Sequence, residues 1–235
     1  MYMHIRPSTQ LDLIRARLNI LLNQSDVHIL LDNLELNLEI KTHASILRAL
    51  YLKQNKQYEE AVNILDSVLE AQSSEAWLLL GIIYWEMAEY NYSLMAFLNG
   101  IKADRFNWKC LIYLGHYYRE HGNDMERSRK CYQTALQINP NSEEAGIGLS
   151  TAYRLLKNQD ANIKLLQMLT VQGSGPRWAW LQLGLQYLDQ GNAEQAIKAF
   201  QHVIRADSSD RSFRIAIPKL ILQLFIVELV FQSEN

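Results

Sequence analysis

Residues 113–119 read Tyr113-Leu114-Gly115-His116-Tyr117-Tyr118-Arg119, and the skeleton inside this stretch, a Leu-Gly pair with a tyrosine three places after the glycine, decides the fold because it recurs. Leu80-Gly81 leads to Tyr84 and Leu183-Gly184 leads to Tyr187, while Tyr153 keeps the phase although Ser150 stands where the glycine would be. The four tyrosines are separated by 34, 35 and 34 residues. A second series, Phe97, Tyr132, Leu166 and Phe200, runs in the same phase. A fixed period of this length belongs to a two-helix unit that cannot bury its own apolar face and must stack on its neighbours.

The period marks units at 74–107, 108–142, 143–176 and 177–210. If residue 74 opens a unit, Gly81 is its eighth position and Ser93 its twentieth, the points where its two helices cross. A small residue at each lets the backbones approach toward the lower end of the usual range of roughly 8–10 Å between axes. The same roles fall to Gly115 and Ser128, shifted by one because the turn at 120–124 carries an extra residue, and to Gly184 and Ala196. Tyr84, Phe97 and their equivalents are expected to fill the space between successive pairs, and Pro140 to stop a helix. The third unit departs from the pattern, with Gly146 where a large aromatic is usual, Ser150 at the glycine position and Asn162 at the small one, so its helices are expected to pack more loosely. Upstream, Tyr58 and Ala61 anticipate Tyr90 and Ser93 at a spacing of 32, which makes residues 43–72 a shortened unit. Residues 9–40, with Leu and Ile at helical spacing broken near Asn23–Asp26, read as one more pair, so that 1–73 forms a stretch of degenerate helical repeats.

This pattern of Trp, Leu-Gly, Tyr, small residue, aromatic and Pro resembles the tetratricopeptide repeat. The resemblance implies an all-α solenoid of antiparallel helix pairs that presents surfaces to other proteins. In such repeats the first helix of each unit lines a groove through positions 2, 5, 9, 12 and 13, which here include Trp85, His116, Arg119 and Arg154. Those four are the candidate peptide-groove residues; packing against neighbouring helices is the alternative use for them. The adaptors that grip a C-terminal carboxylate carry Lys at position 5 and Asn at position 9. Leu78 with Ile82, and Ile112 with His116, do not supply those charge-assisted bonds.

Composition narrows the function further. Hydrophobic residues make up 49% and charged residues 20% of 235, enough for a core spread along an array. A net charge of −2 gives no electrostatic footprint for general RNA binding, which needs a clustered positive field. The densest basic run, Arg127-Ser128-Arg129-Lys130, reads as a solvated helix face. Cys110 and Cys131 belong to no CxxC pair, and the six histidines lack the i, i+4 spacing that sets two on one helix face, so neither a zinc nor a redox site is indicated. Gly173-Ser174-Gly175-Pro176 lacks the lysine and preceding strand of a phosphate loop and reads as a connecting turn. The N-terminal residues carry no apolar signal segment. No nucleophile with a base partner is visible, no cofactor is implied, and the chain is expected not to be an enzyme.

Residues outside the generic repeat pattern carry a closer resemblance. Arg105-Phe106-Asn107-Trp108-Lys109-Cys110 followed by 113–119, together with Trp178-Ala179-Trp180-Leu181 and Arg205-Ala206-Asp207, resembles the tetratricopeptide scaffold of the superkiller (Ski) complex over about residues 74–210. That resemblance implies a non-catalytic scaffold partnered by an RNA helicase, WD-repeat subunits and the cytoplasmic exosome in 3′-to-5′ messenger RNA decay, in the cytoplasm and secondarily the nucleus. A tetratricopeptide adaptor for an unrelated partner is the alternative. Scaffolds of that family are much longer and meet their helicase and WD subunits mainly through a C-terminal portion, so a short form is expected to assemble incompletely. After Asp210 the register stops, and 211–235 is a non-repeat apolar tail expected to be dispensable for the fold and to promote self-association.

Overall fold

The computed structural model describes residues 7–22, 27–35, 40–69, 73–171 and 175–206. The tail at 211–235, the break at 23–26 and residues 173–174 of the turn at 173–176 lie outside the described residues. Among the described residues there are twelve helices and no strand. Residues up to Tyr117 and from Tyr118 onward form two compact bodies.

The first body begins with α1 (Pro7–Leu21), α2 (Val27–Glu35), α3 (Lys41–Gln54) and α4 (Tyr58–Asp66). Ala16 and Ile20 of α1 meet Val27, Leu31 and Leu34 of α2 and Ala44 and Leu47 of α3 in one buried cluster. Arg48 of α3 ties α2 down at its edge, its Nε donating to Glu35 Oε1 at 2.6 Å while its Nη2 donates to Asp32. The opposite side of α3 enters a second cluster, where Ile46 and Ala49 pack with Ala61 and Leu65 of α4 and with α5 (Ser74–Glu86).

α5 and α6 (Tyr90–Ala103) approach along most of their length. Ser93 Oγ donates to the Gly81 carbonyl at 2.8 Å, so the crossing is as close as the small residues predict. Phe97, however, does not simply fill the space between successive pairs. Its ring lies over Gly81 of its own pair, where an added Cβ would stand 2.4 Å from it, and also stacks on Tyr113 of α7 (Trp108–Glu120) at 4.9 Å. The glycine therefore makes room for a ring as well as for a backbone. A polar relay fixes the next step: Asn107 Nδ2 donates to Ser74 Oγ at 2.6 Å, Ser74 Oγ donates to the Gly100 carbonyl at 3.0 Å, and Asn107 Oδ1 caps α7 by accepting from Cys110 N at 3.2 Å.

The second body contains α8 (Met125–Ile138), α9 (Glu143–Leu155), α10 (Gln159–Leu169), α11 (Arg177–Asp189) and α12 (Ala193–Ala206). Asp124, Ser142 and Asn158 cap α8, α9 and α10 through their side-chain oxygens, each satisfying a free first-turn amide. Gly184 seats Phe200 as Gly81 seats Phe97, with 2.5 Å from an added Cβ to the ring. α9 and α10 touch over a shorter stretch than α11 and α12, in line with the looser packing expected of the third unit. The missing aromatic at Gly146 is nonetheless made good: the Trp178 ring of α11 lies where a Cβ on Gly146 would be, at 2.1 Å.

The turns between paired helices repeat a single device. Lys56, Ala88, Asn123, Lys157 and Gly191 all have positive φ, between 47° and 72°. The amide after each donates back into the preceding helix: Gln57 to Leu52 O, Glu89 to Tyr84 O, Asp124 to Tyr118 O, Asn158 to Tyr153 O and Asn192 to Tyr187 O, all at 2.8–3.0 Å. This left-handed stop closes the C-terminal carbonyls of each first helix. The phased tyrosines thus supply backbone acceptors as well as rings. Across 118–124 the bond spans six residues instead of five, which absorbs the extra residue of that turn.

Candidate interaction surfaces

Of the four candidate groove residues, Trp85 and His116 are brought to one ring. Trp85, half-buried near the end of α5, packs edge-on against Tyr90 at 5.3 Å and against Tyr113 at 6.4 Å, and His116 meets the same Tyr113 ring at 6.1 Å. Tyr113 therefore links both to Phe97 and the α5–α6 crossing. Arg119 is engaged by its chain neighbour Glu120. Arg154 sits exposed in the last turn of α9, in the second body.

Two of the three cations in the basic run of α8 are paired with acids at the start of that helix. Arg127 Nε lies 3.2 Å from Asp124 Oδ2 with its guanidinium over Tyr118, and Arg129 Nε lies 3.0 Å from Glu126 Oε2 with its guanidinium over Tyr153. The hydrogen bond to Glu126 holds the Arg129 guanidinium above its ordinary pKa despite partial burial.

Two clefts open in the second body. One, of about 530 Å³, lies among α8, α9 and α10 and is mostly apolar, lined by Leu136, Pro140, Leu149, Tyr153 and Met168 with Lys164 at its edge. The other, of about 480 Å³, lies among α10, α11 and α12. Its wall carries a Trp180–His202 stack at 4.0 Å, and Gln167 Nε2 donates to Tyr187 Oη at 3.0 Å. Lys198 beside it is paired with Glu194 at 2.5 Å. Among the described residues, neither cleft is lined by a carboxylate.

The cysteines are equally quiet. Burial pushes the Cys110 thiol up to about 12 and the Cys131 thiol up to about 11, so both stay protonated at neutral pH and are poor nucleophiles. Among the described residues no group of His, Cys, Asp and Glu is placed to hold a metal ion, and no helix is long and apolar enough to cross a membrane.

Three features escaped the sequence reading: the left-handed turns, Trp178 over Gly146, and a buried bond between Asn162 Nδ2 and Gln186 Oε1 at 2.8 Å. Asn162 at an otherwise small position and Gly146 at an otherwise aromatic one marked where the pattern departs, but not what answers it.

The tetratricopeptide repeat family model matches at residues 111–142 and 179–210. Superkiller complex protein 3 of Homo sapiens is 32% identical over 173 residues, covering 70% of this chain and 11% of that protein. Tetratricopeptide repeat protein 37 of Xenopus laevis is 29% identical over 188 residues, covering 76% of this chain and 12% of that protein. The chain thus spans about a tenth of the length of these relatives. Among solved structures, that of YrrB, a TPR protein with an unusual peptide-binding site, superposes with a TM-score of 0.57 at 19% identity over 80% of this chain and 97% of YrrB. The chain is a tetratricopeptide-repeat helical solenoid, related in sequence to superkiller complex protein 3 over about two thirds of its length.

Proposed function

We propose that this chain is a non-catalytic scaffold module of the superkiller type, acting in the cytoplasm to support exosome-mediated 3′-to-5′ decay of messenger RNA. In this reading the units at 74–107, 108–142, 143–176 and 177–210 present binding surfaces, with Trp85 and His116 around Tyr113 as a peptide-facing pair. An RNA helicase and WD-repeat subunits are the partners, and the helicase performs the ATP-driven step. The observation that carries the reading is the 32% identity to superkiller complex protein 3. A shared repeat pattern alone demands less, since YrrB keeps the fold at 19%.

The test is affinity purification of the tagged chain from cells with mass spectrometry of the bound proteins. Recovery of helicase, WD-repeat and exosome subunits is expected. Recovery of unrelated proteins without them overturns the superkiller assignment in favour of an adaptor with a different partner. Binding of single-stranded RNA by the purified chain is expected to be weak at physiological salt. Submicromolar affinity that falls steeply with salt would move RNA handling onto this chain.

A further inference from the structure

α1 carries two apolar faces. One, formed by Leu13, Ala16 and Ile20, is packed into the α2–α3 core. The other, Leu11, Ile14, Leu18 and Leu21, faces outward and is continued by Leu22 just past the helix end, with Leu11, Leu21 and Leu22 keeping 67%, 63% and 67% of their surface exposed. Leu11, Ile14, Leu18 and Leu21 succeed one another at steps of 3, 4 and 3, the spacing of a two-helix seam, whereas a solvated helix face would carry polar residues there. Beside Ile14 a hollow of about 120 Å³ opens between helices, lined by Arg17, His43, Ile46 and Glu75 and of a size to receive an aliphatic side chain.

At 3.6 residues per turn Arg15 falls on one flank of the seam and Arg17 on the other. Both are exposed; Arg17 reaches Glu75 at 3.9 Å, a loose surface pair, and the single acid of the described part of α1, Asp12, stands beyond Arg15, half-buried, toward the packed side. A second copy of this helix would bring arginine against arginine in either orientation, which is repulsive. An incoming helix with Asp or Glu beside its apolar stripe would place opposite charges on both flanks.

We propose that the outer face of α1 is a docking seam for an amphipathic helix with acidic flanks on a partner protein. This rests on the interaction reading only for the premise that the chain binds proteins, and it stands or falls separately from the co-purification above.

The probe is a synthetic helix of about three heptads with Leu at its seam positions and Glu on both flanks, compared with the same peptide carrying Lys on the flanks. Fluorescence anisotropy with the full chain is expected to show the Glu peptide binding about tenfold more tightly than the Lys peptide, the preference shrinking with salt. Leu18→Asp is expected to abolish binding while leaving the circular-dichroism spectrum unchanged. Arg15→Glu with Arg17→Glu, which keeps the apolar face intact, is expected to reverse the preference between the two peptides. Equal binding of both peptides, no binding of either, or a stable dimer in sedimentation that Leu18→Asp dissolves would overturn the proposal.

Discussion

The α5–α6 pair and the α9–α10 pair solve the same crossing with opposite materials. In the first, Gly81 and Ser93 meet, the serine hydroxyl is satisfied within the pair, and Phe97 covers the glycine. In the second the equivalent residues are Ser150 and Asn162, both buried, and among the described residues neither Ser150 Oγ nor Asn162 Oδ1 has a hydrogen-bond partner. Asn162 instead directs its amide nitrogen at Gln186 of the next pair. The small-residue crossing satisfies its own hydroxyl within the pair, while its ring, Phe97, also stacks on Tyr113 of α7. A polar crossing draws on its neighbour, through Gln186 for hydrogen bonding and through Trp178 for volume. The α9–α10 pair therefore takes both a hydrogen-bond partner and a ring from the α11–α12 pair.

Substitutions can break or sharpen that contrast. The largest effect is expected from Phe97→Ala, which empties a fully buried site over Gly81 and removes the stack on Tyr113. A loss of about 3–5 kcal/mol in urea unfolding is the outcome that fits. Gly81→Ala comes next: with a methyl forced 2.4 Å from the Phe97 ring, a loss of about 1–3 kcal/mol is expected. Ser150→Gly in the α9–α10 pair should be far milder. Equal losses at the two sites would show that the crossings are not built differently.

Gln186→Leu tests the polar crossing directly, because it leaves the Asn162 amide buried with nothing to donate to. A loss of about 1–3 kcal/mol is expected, and adding Asn162→Ala should recover most of it by removing the stranded group. Failure of the second change to rescue the first in chemical unfolding would mean that the pair acts through shape and not through hydrogen bonding. The smallest effect is expected from Ala88→Gly. Ala88 holds φ at 61°, a conformation that costs a β-carbon about 1 kcal/mol, so glycine should raise stability by a few tenths to about 1 kcal/mol. A fall in the thermal midpoint would instead assign Ala88 a packing role.

How far the chain was legible depended on how each constraint is written. Leu-Gly with a phased tyrosine is imposed by two helices crossing at a fixed distance, so it recurs and can be read from spacing. The departure at Gly146, Ser150 and Asn162 was equally readable as a departure. Its remedy was not, because Trp178 and Gln186 belong to the next pair and a reading made within one unit does not cross that boundary. The left-handed turns were hidden for a different reason. Asn123 and Gly191 suit positive φ, but Lys56, Ala88 and Lys157 carry no such preference and are held there by the hydrogen bonds around them. The candidate surface was legible only in part: the register picked out Trp85 and His116, but nothing in it revealed that Tyr113 joins them.

The six-residue span from Tyr118 to Asp124 carries a practical corollary. Because the same left-handed stop forms with one residue more than in the other four turns, chain length inside that turn is decoupled from the phase of the helices on either side. A short epitope or a spectroscopic label spliced between His121 and Asn123 should leave both flanking helices in register, whereas the same insertion two turns into either helix would rotate every later contact off its partner.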